Sequence, residues 1–234
     1  MTLRKRHVEE EWHRLIPSRF PPVDVFERLG RPALGILAKE LESETNPRLR
    51  DKASLLSINP GIPDSSPRLQ NWNHAPFAYT SPEPSTFLPA GFGVLELVCG
   101  KRPALAWALR RREIFLERTD EPPVGLDMRL LVVPVKGDFV DLSDTTWSDD
   151  TVRRDMGVEL FDEGVQGILF RRPELPAVRG LAVFDQAALQ RSVQSAHYRF
   201  VWDGKVVTKI YDFADGIEIS RADLMAECEG LAAA

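Results

Sequence analysis

The chain has 234 residues, of which 43% are hydrophobic and 28% are charged, and its formal net charge at pH 7 is −5. This composition excludes a largely disordered chain and is typical of a soluble globular protein with one sizeable core or two small ones. The acidic balance argues against a general polyanion-binding protein, so nucleic acid is not expected as a direct partner.

The amino-terminal part, residues 12–50, predicts an extended stretch followed by a helix. The prolines of the segment IPSRFPPVDVF hold the backbone extended around Arg19. Farther along, Leu34, Leu37 and Leu41 recur at helical spacing. We therefore expect the helix to begin only after the prolines.

Residues 57–91 differ in character from the rest of the chain. They are rich in Pro, Ser and Asn, which predicts a long surface loop with turns rather than a packed element. Loops of this length are usually either functional or disordered. Four aromatic residues favour a loop that packs against the protein, namely Trp72, Phe77, Tyr79 and Phe87.

After this loop, predicted strands and helices alternate along the chain. The segment GVLELVC places Leu95 and Leu97 on one face of a strand and Glu96 on the other. The segment RPALAWALRRREIFL predicts a helix with Pro103 in its first turn and Trp107 on its buried side. A strand followed directly by an amphipathic helix is therefore expected here.

The second half of the chain predicts further strands and one more helix. Strands are expected at LDMRLLVVPV, QGILF and GLAVFD, and a helix begins after Ser148 or Asp149 and ends at Gly164. Asp203 and Gly204 separate two alternating strands in HYRFVWDGKVVTKIYDF, which is a strong hairpin signal.

These elements predict a single α+β domain over residues 1–234. Its core would cover about 12–212, and the tail 213–234 would be a short helix or frayed chain. The expected architecture is one mixed, largely antiparallel sheet with flanking helices.

The cysteines and histidines offer no sign of a disulfide framework or a metal site. Cys99 and Cys228 are too few for disulfide scaffolding and lack the paired spacing of zinc ligands. The four histidines are scattered, so no metal is expected.

The amino terminus has no signal-peptide pattern and no apolar run could span a bilayer. We therefore expect a cytoplasmic protein without a membrane partner.

Glu96 is the residue that the alternating pattern makes unusual. A carboxylate flanked by Val94 and Val98 on one strand face is costly to bury unless it is paired. Glu96 therefore either lies at a sheet edge or meets a cation such as Arg14 or Arg172.

The helix that follows carries two further features of interest. Its three consecutive arginines, Arg110, Arg111 and Arg112, indicate either a solvated helix face or an anion site. Trp107, considered by itself, is most simply a core aromatic residue.

Seven segments in order resemble the RES-domain family, from about Trp12 to Asp203. They are RLIPSRFPPVDVFERL, NPRLR, FGV after a Pro-rich loop, EPPVGLDMRLLVV, QGILF, LAVF and HYRFVWDG. The resemblance implies an ADP-ribosyltransferase-like fold and the toxin half of a bacterial RES/Xre toxin–antitoxin pair. It also implies NAD as substrate or ligand, attacked at its glycosidic bond by hydrolysis, phosphorolysis or ADP-ribosyl transfer.

Part of the family's site is retained. Arg14 matches an early arginine of the family, and Arg19 lies in its PSRFPP-like segment. With Arg172, these residues are the candidates for holding the phosphates of NAD, since guanidinium groups bind phosphate through paired hydrogen bonds.

Other family positions are occupied by different residues. Thr86 stands where the resemblance implies a second phosphate-binding arginine, and Trp107 where it implies the catalytic glutamate. Arg172 replaces the family's serine, and Glu96, or Leu95 one residue earlier, replaces a tyrosine. The resemblance therefore implies a divergent member with a degenerate site.

Three hypotheses follow from the sequence. In the first, the protein acts by binding, with an Xre-like antitoxin, a second copy of itself or an uncleaved nucleotide as partner. In the second, it still consumes NAD and Glu96 supplies the catalytic carboxylate. In the third, the resemblance misleads, and Arg14, Glu96 and Arg172 do not converge.

Overall fold

The computed structural model describes residues 3–18, 70–147, 149–172 and 175–230. The described strands are β1 (Lys5–Pro17), β2 (Leu95–Val98), β3 (Val124–Asp141), β4 (Gly167–Arg172), β5 (Leu175–Val183), β6 (Val193–Trp202), β7 (Val207–Asp212) and β8 (Ile217–Ser220). The described helices are α1 (Asn71–Ala78), α2 (Lys101–Arg118), α3 (Asp150–Asp162) and α4 (Arg221–Gly230). Arg19, the helix predicted after it, Ser148 and residues 57–69 of the predicted loop lie outside the described residues.

All eight strands belong to one sheet, in the order β1-β2-β5-β4-β3-β6-β7-β8. Strand β1 also pairs with β3, from Lys5 opposite Val140 to Pro17 opposite Met128. Because β3 pairs with β1 on one edge and with β4 and β6 on the other, the strands β1, β2, β5, β4 and β3 close into a ring. The β3–β4 pair is parallel and the others are antiparallel, which confirms the predicted α+β fold with a mixed, largely antiparallel sheet.

Three apolar clusters hold the helices and the sheet together. The first draws on all five ring strands and fills the ring, with Trp12 fully buried in it. In the second, α2 and α4 pack against the sheet through Leu105, Leu109 and Leu224. The third joins α3 to the outer face of the ring around Phe87. The chain segment before β2 is thereby fixed between α3 and the sheet.

Local signals in the sequence placed several boundaries correctly. The Asp149 side chain caps α3 by accepting a hydrogen bond from the Thr151 backbone N–H at 2.7 Å. Gly164 follows this helix with φ of +72°, a conformation that glycine adopts without strain. Asp203 and Gly204 connect β6 to β7, as predicted for the hairpin.

The predicted loop 57–91 is wrong at one place, because Asn71–Ala78 forms helix α1. Its short sequence contains Pro76 and has no helical pattern of its own. Contacts from a distant segment stabilise it, since the Gln70 side chain accepts a hydrogen bond from the Ser192 backbone N–H at 2.7 Å. Of the four aromatic residues expected to pack, Phe87 is fully buried, whereas Tyr79 is largely exposed.

The predicted core limits of 12 and 212 are too narrow. Strand β1 begins at Lys5, and Val8 and Trp12 are its fully buried apolar residues, but charged residues between them hide the alternation. Beyond residue 212, β8 pairs with β7, and Leu224 and Cys228 of α4 are buried. None of the described helices is both long enough and apolar enough to cross a membrane.

Replacement of Gly157 tests how tightly α3 holds the segment before β2. A Cβ atom at Gly157 would overlap the carbonyl oxygen of Phe87. We expect Gly157→Ala to lower the free energy of unfolding by about 1–3 kcal/mol, the usual cost of overpacking. Val152→Ala is the control, since this side chain is 58% exposed on the same helix. Urea unfolding that gives equal stability for both variants would contradict the close contact.

Candidate functional site

A cavity of about 720 Å³ lies between α1, α2, the end of β1 and the segment before β2. This volume is within the usual range for small-molecule sites. Its polar lining consists mainly of Arg14, Glu96, Arg111 and Arg112, and its aromatic lining of Trp72, Tyr79, Phe92, Trp107 and Phe115. Positive charge and aromatic rings therefore face the same space.

The Glu96 carboxylate lies in the wall of this cavity, and its side chain is only 7% exposed. Its Oε1 accepts a hydrogen bond from the Thr86 backbone N–H at 2.8 Å. Its Oε2 lies 3.5 Å from Arg111 Nη1 and 3.7 Å from Arg172 Nη1. The expected pairing with Arg172 is confirmed. The two alternatives do not exclude each other, because Glu96 lies opposite Ala182 of β5 while β2 pairs with β1 only where Val98 lies opposite His13.

The Glu96 carboxyl is held in its ionised form. Burial by itself raises its pKa, but the charges of Arg172 and Arg111, together with the hydrogen bonds at Thr86, outweigh the burial. The pKa of Glu96 is therefore lower than the ordinary value. At neutral pH the cavity wall contains a fixed negative charge that is surrounded by guanidinium groups.

Trp107 lies on α2 with its ring partly buried and in the cavity wall. The guanidinium carbon of Arg172 is 3.5 Å from the ring centroid, and that of Arg111 is 5.0 Å away. Both are cation–π contacts, and the first is close enough to be a stacking contact. Trp107 therefore packs on the core, as an ordinary aromatic residue would, and also holds two of the cations around Glu96.

Arg172 is fully buried at the end of β4. Its Nη2 donates a hydrogen bond to the Leu97 carbonyl at 3.3 Å, and its guanidinium lies between Trp107 and Phe170. The side chain does not belong to the cavity lining. Any effect of Arg172 on a ligand must therefore pass through Glu96 and Trp107.

Arg14 projects from β1 into the cavity. Burial, together with the neighbouring charges of Arg111 and Arg112, lowers the pKa of Arg14 to about 10, against the opposing effect of Glu96. Arg14 thus stays protonated at neutral pH in a site with surplus positive charge. Of the three consecutive arginines, Arg111 and Arg112 line the cavity, which favours the anion-site interpretation over a purely solvated face.

Thr86 acts in the site through its backbone. Besides the N–H bond to Glu96, its carbonyl accepts a hydrogen bond from Arg153 Nε of α3 at 2.7 Å. Helix α3 therefore positions the peptide that holds the carboxylate. No sequence pattern indicated a role for Arg153, since its partner lies 67 residues away in the chain.

The sequence model of the RES domain matches residues 64–203 of the chain. The chain belongs to the RES-domain family. The resemblance inferred from the sequence segments is therefore confirmed.

Besides matching the family model, the chain is similar to individual proteins. The uncharacterized protein y4oC of Sinorhizobium fredii (strain NBRC 101917 / NGR234) is 41% identical over 218 residues, which is 93% of this chain and 94% of the relative. A chain of the M. tuberculosis MbcT–MbcA toxin–antitoxin complex has a TM-score of 0.35 and 17% identity, and the match covers 47% of this RES-domain chain and 70% of that chain. The second likeness is too slight to inform the site.

The site residues of this RES-domain protein converge in part. Arg14 and Glu96 share the cavity, Arg172 contacts Glu96 from behind it, and Trp107 contacts Arg172. Arg19 lies outside the described residues. The aromatic lining from α1 and the segment before β2 was not predicted as part of a site. Within the described ranges, no three His, Cys, Asp or Glu side chains lie close enough together to hold a metal ion.

Replacing Glu96 tests the ion pair at the centre of the site. We expect Glu96→Gln to lower the free energy of unfolding at pH 7 by about 3–5 kcal/mol, because the buried Arg172 loses its counter-charge. The folded-state pKa of Glu96 is depressed, so this stabilisation is present above the unfolded pKa of about 4.5 and is lost as the pH falls through the folded value. The difference from wild type should therefore shrink below pH 4.5 in urea unfolding.

Glu83→Gln is the matched control for this measurement. Glu83 lines the same cavity, but its side chain is 53% exposed and pairs with the exposed Arg118. Its loss should cost at most about 1 kcal/mol. A Glu96→Gln variant that is as stable as Glu83→Gln at pH 7 would show that the buried pair contributes nothing.

Proposed function

We propose that this RES-domain protein is a cytoplasmic member of the toxin family of toxin–antitoxin systems that binds NAD, or a closely related nucleotide, without rapid cleavage. The observation that carries this proposal is that the negative charge of the carboxylate in the cavity wall is compensated by neighbouring cations. Glu96 is tied to the Thr86 backbone N–H and compensated by Arg111 and Arg172.

The lining of the cavity supports a nucleotide as ligand. Arg14, Arg111 and Arg112 bring positive charge to one space, although the chain as a whole has a net charge of −5. Guanidinium groups bind phosphate through charge-assisted hydrogen bonds. Trp72 and Phe115 are among the rings that can stack on a planar base. An anionic ligand with an aromatic ring fits these groups.

The arrangement around Glu96 supports slow chemistry. Cleavage of the nicotinamide–ribose bond develops positive charge on the sugar, and a nearby carboxylate stabilises that charge. Here the charge of Glu96 is compensated by Arg111 and Arg172, and Arg14 adds a further cation to the cavity. Trp107 contributes no charge at the position where the resemblance implies the catalytic glutamate. The site therefore offers a developing cation little net stabilisation.

A second candidate function is an active NAD-consuming enzyme in which Glu96 acts from the strand. The observation that favours it is that Glu96 is ionised and lines the cavity. It requires the carboxylate to stabilise positive charge despite its arginine partners.

NAD binding and NAD consumption by the purified chain distinguish the two candidates. We expect calorimetry to detect NAD binding, and we expect turnover in wild type and in Glu96→Gln to stay at the level of a buffer control. Measurable turnover in wild type that is abolished in Glu96→Gln would contradict the binding function and support catalysis by Glu96. Failure of NAD to bind at all would overturn both proposals for the cavity.

Trp107→Glu tests whether the tryptophan is the reason for slow chemistry. The change places a carboxylate on α2 in the cavity wall. We expect NAD turnover to rise above wild type, because a second negative charge exceeds what Arg111 and Arg172 compensate. Trp107→Gln has the same shape without the charge and should stay at background. Equal turnover above background in the two variants would mean that opening the cavity matters rather than the carboxylate, and background turnover in both would show that Trp107 is not the reason for slow chemistry.

The protein partner is also part of the proposal. The RES resemblance implies an Xre-like antitoxin, and a second copy of the chain is the other predicted partner. Co-expression with the product of an adjacent helix-turn-helix gene, followed by gel filtration, tests the first. An unchanged elution position in its presence would argue against an antitoxin partner.

A further inference from the structure

We infer that Glu96 is a built-in counter-anion that sets how much negative charge a ligand of the cavity can carry. The inference rests on the proposed function of the cavity as a nucleotide site and concerns its selectivity. It assigns Glu96 a role in ligand choice that is separate from catalysis and from the stability of the fold.

The geometry makes the Glu96 charge a fixed part of the cavity wall. Thr86 donates its backbone N–H to Oε1, and Arg153 of α3 holds the carbonyl of the same residue. Arg111 and Arg172 lie on the other carboxylate oxygen. With both oxygens engaged, the carboxylate cannot turn away when an anion enters.

Glu96 also competes with a ligand for the same cation. Arg111 lines the cavity, its side chain is 49% exposed, and its Nη1 lies 3.5 Å from Glu96 Oε2. A phosphate that approaches Arg111 therefore meets a guanidinium whose charge is partly compensated. Ligand phosphate and Glu96 carboxylate repel each other across a short distance in a partly desolvated space.

The electrostatic consequence scales with the charge of the ligand. The interaction of a fixed charge with a ligand is proportional to the ligand's charge, and is strongest where water is partly excluded. Removing the Glu96 charge should therefore favour a triphosphate more than a diphosphate, and a diphosphate more than a monophosphate. For separations within this cavity, the gain should be roughly threefold to tenfold per unit of ligand charge at low salt.

A purely structural role for Glu96 predicts a different pattern. Glutamine keeps an oxygen that can accept the Thr86 N–H, but it removes the charge and turns the oxygen that faces Arg111 and Arg172 into an NH2 donor. If Glu96 only shaped the cavity, its replacement would change the affinity for every ligand by the same factor. The ratio of affinities within a charge series separates the two roles.

The experiment measures the affinities of AMP, ADP and ATP by calorimetry, without divalent cations and at low salt. These ligands share one base and sugar, carry successively more negative charge and have no nicotinamide bond to cleave. We expect Glu96→Gln to bind all three more tightly, with the gain rising from AMP to ATP, and the gradation should shrink in high salt. Glu9→Gln, which removes an exposed carboxylate that pairs with Lys136 and does not line the cavity, should show no gradation.

The counter-anion role of Glu96 and the proposed function of the cavity are tested separately. Equal factors for the three ligands in Glu96→Gln would overturn the counter-anion role and leave nucleotide binding intact. Absence of binding of all three ligands to wild type and to the variant would overturn the inference, whereas the NAD titration decides the proposed function separately.

If Glu96→Gln does not fold, Arg111→Gln provides the converse test, in which a positive charge is removed instead of a negative one. Its side chain is half exposed, so its removal endangers the fold less than a change at Glu96. We expect weakened binding, with the loss rising from AMP to ATP, because the uncovered Glu96 charge repels the more anionic ligand more strongly. A uniform loss would overturn the inference.

Discussion

The buried charge of Glu96 is the constraint on which the rest of the site depends. A carboxylate that is almost removed from water must be paired, and the chain supplies its partners from three separate elements. Arg111 comes from α2, Arg172 from β4 and the Thr86 N–H from the segment before β2. The same ion pairs therefore join helix, sheet and loop, and fix the wall of the cavity.

The residues at positions where the resemblance implies other residues contact one another. Trp107 stacks on Arg172, Arg172 pairs with Glu96, and Glu96 accepts the backbone N–H of Thr86. Each replacement would be unfavourable alone, since Arg172 would be a buried charge without a counter-ion and Glu96 a buried carboxylate. As a connected set they are mutually compensating. This mutual compensation supports the proposal that the cavity binds a nucleotide without rapid cleavage.

The closed ring of strands explains how distant parts of the chain reach one cavity. Strand β1 pairs with β3 over its whole length and also with β2, where His13 lies opposite Val98, and this brings Arg14 close to Glu96 although the two are far apart in the sequence. Helix α2 leaves the ring directly after β2, so Trp107 and Arg111 face the carboxylate of the preceding strand. On the far side, α3 fixes the peptide of Thr86.

Features that depend on local geometry, or on the cost of burying charge, could be predicted from the residues alone. The alternation around Glu96, the cap at Asp149 and the turn at Asp203 follow from backbone geometry, and electrostatics requires a cation for Glu96 wherever its side chain is buried. Three features could be read only from the folded chain, namely which cations Glu96 meets, the helical conformation of Asn71–Ala78 and the stacking of Trp107 on Arg172. These depend on contacts between residues far apart in the chain, which local patterns do not encode.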